Sequence, residues 1–254
     1  MEYPYDLGNY SCPITTHSPL AQLWFDRGLI WTYGYNHQEA IVCFKQALSH
    51  DDTCAMAHWG LAYASGPNYN MPWELHDQEG RASALAAAYE ANQAALAHLA
   101  GCTTAETLLI NALQARYPQR DLVQDMHAWD FDFADAMRRA FARCNTHLDL
   151  RTVYVESLLN LTPWKMWDLK SGLPAKGAAT QEAQQVLEAA MAASPGAMQH
   201  PGLLHLYVHL MEMSPSPEKA LKAADVLRRL VPDAGHLVHM PTHIDVLCGN
   251  YHDV

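Results

Sequence analysis

The sequence predicts an all-α protein built as a right-handed solenoid of stacked helical hairpins. Three observations predict it. Half of the 254 residues are hydrophobic, and Ala, Leu and Met outweigh the β-branched types, which favours helix. Amphipathic stretches of helical length alternate with turns rich in Gly, Pro and Asn. Two pairs of histidines repeat at one spacing: His205 and His239 lie 34 residues apart, as do His209 and His243. A period of that size marks an array of helical hairpins, in which residues one period apart sit side by side on neighbouring equivalent helices.

The first hairpin is the easiest to read, and its period is that of the tetratricopeptide repeat. In LAQLWFDRGLIWTYGYNHQEAIVCFKQALSHDD, residues Trp24, Gly28, Trp31, Ala40, Phe44 and Ala47 occupy its large and small apolar positions, with Asp52 where proline is usual. Small residues let two helices approach, and aromatics fill the space between hairpins. Asn36 is a candidate N-cap for the second helix, with Glu39 three residues on. A third helix, TCAMAHWGLAYASG, stops at Gly66–Pro67. GPNYNMPW then interrupts the period as a turn-rich insertion.

Helix is expected again over 76–100, 103–116, 121–144 and 147–161. LTPWKMWDLKSGLPAKGAAT forms a second insertion, and helix returns at 180–193. HPGLLHLYVHLMEM, PEKALKAADVLRRL and HMPTHIDVLCG supply the last three helices, with Pro201 suited to a first turn. Pro241 inside the last segment would remove a helical hydrogen bond at a cost of about 3 kcal/mol, so the helix is expected to start or kink there. No linker divides the chain, so residues 1–254 read as a single tetratricopeptide-like α-solenoid. The final GNYHDV reads as the start of another hairpin helix, so the array is expected to be truncated at its C-terminus. A bare terminal repeat favours self-association as a homo-oligomer.

Charge and targeting narrow the partners. A formal net charge of −11 argues against nucleic acid and anionic membrane. No apolar run is long enough to span a bilayer. The N-terminus has neither a basic nor an apolar leader region. The six cysteines form no CxxC and read as reduced thiols, which points to a cytoplasmic protein.

Several blocks have a wider resemblance. YGYNHQEAIVCFKQAL, CAMAHWGLAYASGPNYN and HPGLLHLYVHLMEMSPSPEKALKAADVLRRLVPDAGHLVHMPTHI resemble a family of microbial tetratricopeptide-like proteins. That family shows similar NHxEA, AMAxWGxAxAxGPNxN, HPGxxHxxxH and GHLxHMPxHI blocks. The resemblance covers essentially the whole chain in order and matches the histidine blocks at His200, His205, His209, His236, His239 and His243. It implies the fold and attaches no particular reaction.

The histidines carry the chemistry. There are 15 of them against 16 Lys plus Arg, and seven fall between His200 and His252. His205, His209 and Glu212 follow i, i+4, i+7 spacing and share one helical face. His236, His239 and His243 follow i, i+3, i+7. Both segments are expected to be first helices lining a concave groove. Packed helices lie roughly 8–10 Å apart, a gap that two imidazoles bridge through a metal with bonds of about 2.0–2.1 Å. The expected constellation is therefore His205, His209, His239 and His243 around one ion, with Glu212 and His236 as ligands or orienting partners. Histidine with carboxylate suits zinc, copper, non-haem iron or nickel, and Met211, Met213 and Met240 keep copper in play.

The competing reading makes these histidines polar groove residues, or satisfied core residues. Glu156 and Asn160 share a helical face, where Glu156 is a candidate general base, a ligand, or one of an exposed polar pair. Glu212 is the second candidate catalytic carboxylate. Tyr69, Trp73, Trp164 and Trp167 fall in the two insertions and either lid the groove or pack the loops down. No GxSxG, HExxH, GxGxxG or Walker-type loop is present. Two functions follow: a metal-dependent enzyme, redox rather than hydrolytic, acting on a small-molecule substrate, or a non-catalytic scaffold binding a peptide or protein partner in its groove.

Overall fold

The computed structural model describes residues 3–252 and 254. It contains eleven α-helices among those residues: α1 (Pro19–Tyr33), α2 (His37–His50), α3 (Ala55–Ser65), α4 (Gln78–Ala97), α5 (Thr104–Arg116), α6 (His127–Arg143), α7 (Leu148–Leu159), α8 (Thr180–Ala193), α9 (Pro201–Met211), α10 (Leu221–Leu230) and α11 (Gly235–Cys248). The all-α class is therefore as the sequence predicts. Extended pairing among the described residues amounts to two isolated bridges, Asn68–Met71 and Trp167–Pro174, one in each insertion.

Capping chemistry explains most of the boundaries. Ser18 accepts from the Ala21 N–H with Pro19 at the first helical position of α1, and Asn36 accepts from Glu39 N–H to start α2. Thr103 and Glu106 form a reciprocal capping box on α5. His147 and His200 cap α7 and α9 through their ring nitrogens. Two expectations need correction. α6 begins at His127 rather than at 121: Met126 stands at the N-cap with no side-chain cap bond, and Asp125 just before it accepts from the His127 N–H at 3.1 Å. α11 begins at Gly235 and runs through Pro241, so His236, His239 and His243 share one helix. Packing holds that segment helical against the local preference, since Leu237, Met240 and Pro241 are all buried.

Consecutive helices pack on one another from α1 to α11. Odd-numbered helices also meet at one remove: α1 with α3, α3 with α5, α7 with α9, and α9 with α11. α9 additionally touches α1. Close approach needs small residues. A β-carbon on Gly60 would lie 2.4 Å from the Phe44 ring, and one on Gly28 would lie 2.7 Å from it, so one aromatic occupies the space both glycines leave.

α7 and α9 are encased. Every residue from Asp149 to Leu159 and from Pro201 to Met211 is buried. A helix buried all round is normally apolar all round, yet α7 carries Glu156 and α9 carries His205 and His209, at 3%, 1% and 1% exposure. The expected exposure of the Glu156–Asn160 pair is thus overturned, Asn160 being 7% exposed. Ionisable groups buried at that depth need partners or ligands.

Candidate functional site

α9 presents His205 and His209 on one face, one turn apart, and α11 presents His236 beside them. The ligand-type nitrogens of these three all lie within 4.8 Å of one another. Their rings lie 4.6 Å (His205–His209), 4.8 Å (His205–His236) and 5.7 Å (His209–His236) apart. Bonds of about 2.0–2.1 Å in a tetrahedral site put nitrogens roughly 3.4 Å apart, a separation inside the 4.8 Å limit that the three imidazoles meet.

The four-histidine arrangement expected from the period is not the one formed. His239 and His243 lie on the other side of Glu212. His243 Nδ1 bonds Glu212 Oε2 at 2.5 Å, and the Nε2 atoms of His243 and His239 approach to 2.9 Å. Glu212 Oε1 meets His209 Nδ1 at 2.8 Å. Glu212 is therefore a bridge that orients His209 from behind rather than a member of the cluster. The reason is axial register. His236, His239 and His243 share one face of α11, but His236 lies about one turn nearer its start, level with His205 and His209, while the i, i+4 pair lies further along, level with Glu212.

The tautomers follow from these bonds. Burial alone would raise the Glu212 carboxyl, but His209 and His243 outweigh it and hold it at about 2. An ionised Glu212 accepts from His209 Nδ1–H, which leaves the His209 Nε2 lone pair facing the cluster. That Nε2 is buried without a hydrogen-bond partner, and so is Nε2 of His205. Burial depresses the basicity of all three imidazoles. His236 falls to about 4, with His209, His239 and His243 adding repulsion, and His205 falls well below its usual value, with His209 and His236 adding to it. His243 moves up, drawn by Glu212. The cluster is thus neutral at neutral pH, the form that binds metal.

Aromatic rings cage the histidines. Tyr35 lies 4.7 Å from His205, 5.8 Å from His209 and 5.4 Å from His236. Tyr69, from the first insertion, lies 4.9 Å from His209, and Trp164, from the second, lies 6.2 Å from it. The insertions therefore converge on the site. Trp73 packs into the core, and Trp167 donates its indole N–H to the Leu210 carbonyl at 2.6 Å, tying the second insertion to α9.

Sequence reasoning missed Tyr35. It stands at φ 56°, and Trp164 at φ 63°; these are the two non-glycine residues in the left-handed region among those described. α1 ends in a Schellman pattern, with Asn36 N–H bonding Trp31 O and Tyr35 N–H bonding Thr32 O. Glycine is usual at the left-handed position of that motif, yet here glycine (Gly34) comes one residue earlier and tyrosine takes the strained place. Left-handed backbone disfavours L-residues by roughly 1–2 kcal/mol, and such strain gathers at functional sites. The signal was present in the order Gly34-Tyr35 at a helix end. The Tyr35 hydroxyl is buried without a partner. Burial and the nearby Glu156, Tyr63, Tyr69 and Glu212 raise its pKa well above that of an ordinary phenol.

Glu156 is near enough to Tyr35 to raise the phenol pKa. Tyr63 donates to its Oε2 at 2.6 Å, and burial lifts its pKa above the usual range against the pull of Tyr63 and Arg116. A cleft of about 620 Å³ reaches the site from the surface, lined by Trp31, Tyr35, Asn36, Glu39, Asn70 and His236 among others. His236 is thus the cluster member that also faces the cleft. The chain matches no family model, no curated protein and no solved structure.

Proposed function

We propose that the protein is a metal-dependent enzyme in which His205, His209 and His236 hold a transition metal ion for redox chemistry on a small molecule. The observation that carries this reading is the pair of buried, partnerless Nε2 atoms on His205 and His209, grouped with a nitrogen of His236 inside 4.8 Å. An unsatisfied buried polar atom costs about 1–3 kcal/mol, and a shared metal ion removes that penalty from several at once. The all-nitrogen set with an outer carboxylate suits copper, iron or zinc. Glu156, with its raised pKa, is the candidate base, and the 620 Å³ cleft is the candidate route for substrate. Glu212 serves as the orienting carboxylate. His239 and His243 support Glu212 rather than the ion.

The finer architecture belongs to the same reading. The sequential packing of α1 to α11, with α1 on α3, α3 on α5, α7 on α9 and α9 on α11, is what supports reading the expected right-handed solenoid as stacked tetratricopeptide-like hairpins with two insertions. The net charge of −11 supports neither a nucleic-acid nor an anionic-membrane partner. No helix among the described residues is long and apolar enough to cross a membrane.

Elemental analysis tests the proposal on protein purified without a polyhistidine tag and supplied with copper, iron or zinc. The wild type should hold about one ion on this cluster, and His209→Ala or His236→Ala should lose it while helicity by circular dichroism is unchanged. A wild type that binds no ion, or variants that keep their full content, would sink the enzyme reading and leave the groove as a peptide-binding surface.

A further inference from the structure

A second cluster lies at the start of α7. Cys12, His147 and Asp149 place a sulfur, an imidazole nitrogen and a carboxylate oxygen within 4.8 Å of one another. All three line the same cleft of about 910 Å³, which also takes in Tyr10, Gln199 and Arg229. Cys12 comes from the N-terminal segment, and His147 and Asp149 come from the first turn of α7. Tertiary structure alone joins them.

The surroundings are built around this group. The Cys12 backbone is fixed on both sides, its N–H bonding Asp26 Oδ1 at 3.0 Å and its carbonyl accepting from Gln22 Nε2 at 2.9 Å. Oδ1 of Asp149 is fully engaged, accepting from Tyr10 at 2.5 Å, Tyr33 at 2.7 Å and the buried His200 at 3.3 Å. Its other oxygen lies 3.9 Å from His147 Nδ1, too far for a good hydrogen bond. The Cys12 sulfur lies within 4.8 Å of an Asp149 carboxylate oxygen. Tyr10, Tyr33 and His200 thus orient the carboxylate from behind, as outer partners orient metal ligands.

We propose that Cys12, His147 and Asp149 form a second metal site that takes a zinc-class divalent ion, with its remaining coordination position open to the cleft. Mixed sulfur, nitrogen and oxygen donors suit zinc, and three protein ligands with one open position is the arrangement of a reactive rather than a structural ion. Binding exchanges the Cys12 S–H bond for a sulfur–metal bond, and the proton leaves to solvent. The imidazole contributes one lone pair. Because a neutral imidazole has only one, His147 gives up its 3.3 Å cap bond from the Leu150 N–H. Asp149 accepts from Tyr10, Tyr33 and His200 through one oxygen and keeps the other for the ion. No oxidant or other reactant enters. This site stands independently of the histidine cluster.

Cobalt titration tests it. Untagged protein stripped by a chelator is titrated with Co²⁺ and read by absorption, where a thiolate–cobalt bond gives a near-ultraviolet charge-transfer band that imidazole ligands do not. The band should saturate at about one thiolate-bound ion per chain, with one proton released on binding. It should vanish in Cys12→Ser, weaken at least tenfold in affinity in His147→Ala, and persist in His209→Ala. Absence of the band at saturating Co²⁺, its survival in Cys12→Ser, or its loss in folded His209→Ala would each overturn the proposal. His147 is partly exposed, so His147→Ala carries the test if thermal melting shows Cys12→Ser to be unfolded. Full affinity in that variant would overturn it equally.

Discussion

Tyr35 concentrates the argument at the scale of one residue. Its ring contacts all three cluster histidines from a left-handed backbone, and its hydroxyl has no partner. Tyr35→Phe removes a buried hydroxyl without breaking a hydrogen bond. Metal-free protein carrying it should be as stable as wild type or more stable by about 1 kcal/mol, a gain of roughly 2–4 °C in melting temperature. A clear drop in calorimetry would mean that the hydroxyl has a partner after all. Glu212→Gln acts on the other side. A neutral amide cannot accept from both His209 and His243 as the carboxylate does, so the His209 tautomer is no longer held. Metal affinity should fall about 10–100-fold, measured by competition with a chelator of known affinity, and unchanged affinity would remove Glu212 from the site. Neither role was fully legible in the sequence. The i, i+7 spacing of His205 and Glu212 put them on one face, but the bond that matters runs from His209, three residues away from Glu212.

Helix boundaries were read well wherever a cap exists, because a cap is a local transaction between a side chain and the next turn. Ser18, Asn36, Asp77, Thr103 and His200 all accept from backbone N–H groups at their helix starts. The start of α6 differs from the expected 121 because its N-cap residue is Met126, which cannot cap, and the nearby Asp125 bonds the His127 N–H from one position earlier. The packing of α1, α2 and α3 around Phe44 makes a prediction at this scale. Gly60→Ala would push a methyl group into the Phe44 ring at 2.4 Å, and should destabilise by about 1–3 kcal/mol. The urea midpoint should drop with an unchanged slope, while metal content stays at the wild-type level because Gly60 touches none of the cluster. A midpoint equal to wild type would mean that the hairpin relaxes freely.

The molecule as a whole should be sensitive to acid. The folded state holds His236 down at about 4 and depresses His205 and His209 as well, while each titrates near 6.5 when unfolded. The unfolded chain therefore binds more protons in that window. Stability is fully present above about 6.5 and is lost as pH falls from there toward 4, by up to about 1.4 kcal/mol per pH unit for each histidine. Glu212, held at about 2, adds a further loss as pH falls below its ordinary value near 4.3. Urea melts at stepped pH check this, and His236→Leu should flatten the slope between about 6.5 and 4. A slope unaltered by that variant would show that other groups dominate.

The sequence by itself determined the run of helices, the Asn36 cap, the two insertions and the histidine-rich segments, because helix periodicity and capping act over a few residues. Only the tertiary structure decided which imidazoles meet. The α9 segment does pack beside the α11 segment, but the spacing of the histidines did not specify how far one helix is offset along the other. That offset brings His236 rather than His239 and His243 to the cluster. It likewise took the packed chain to set Tyr35, Tyr69 and Trp164 against one imidazole, and Cys12 against Asp149 137 residues further on. Side chains so far apart in sequence meet only when the buried surfaces of every intervening helix have found their partners.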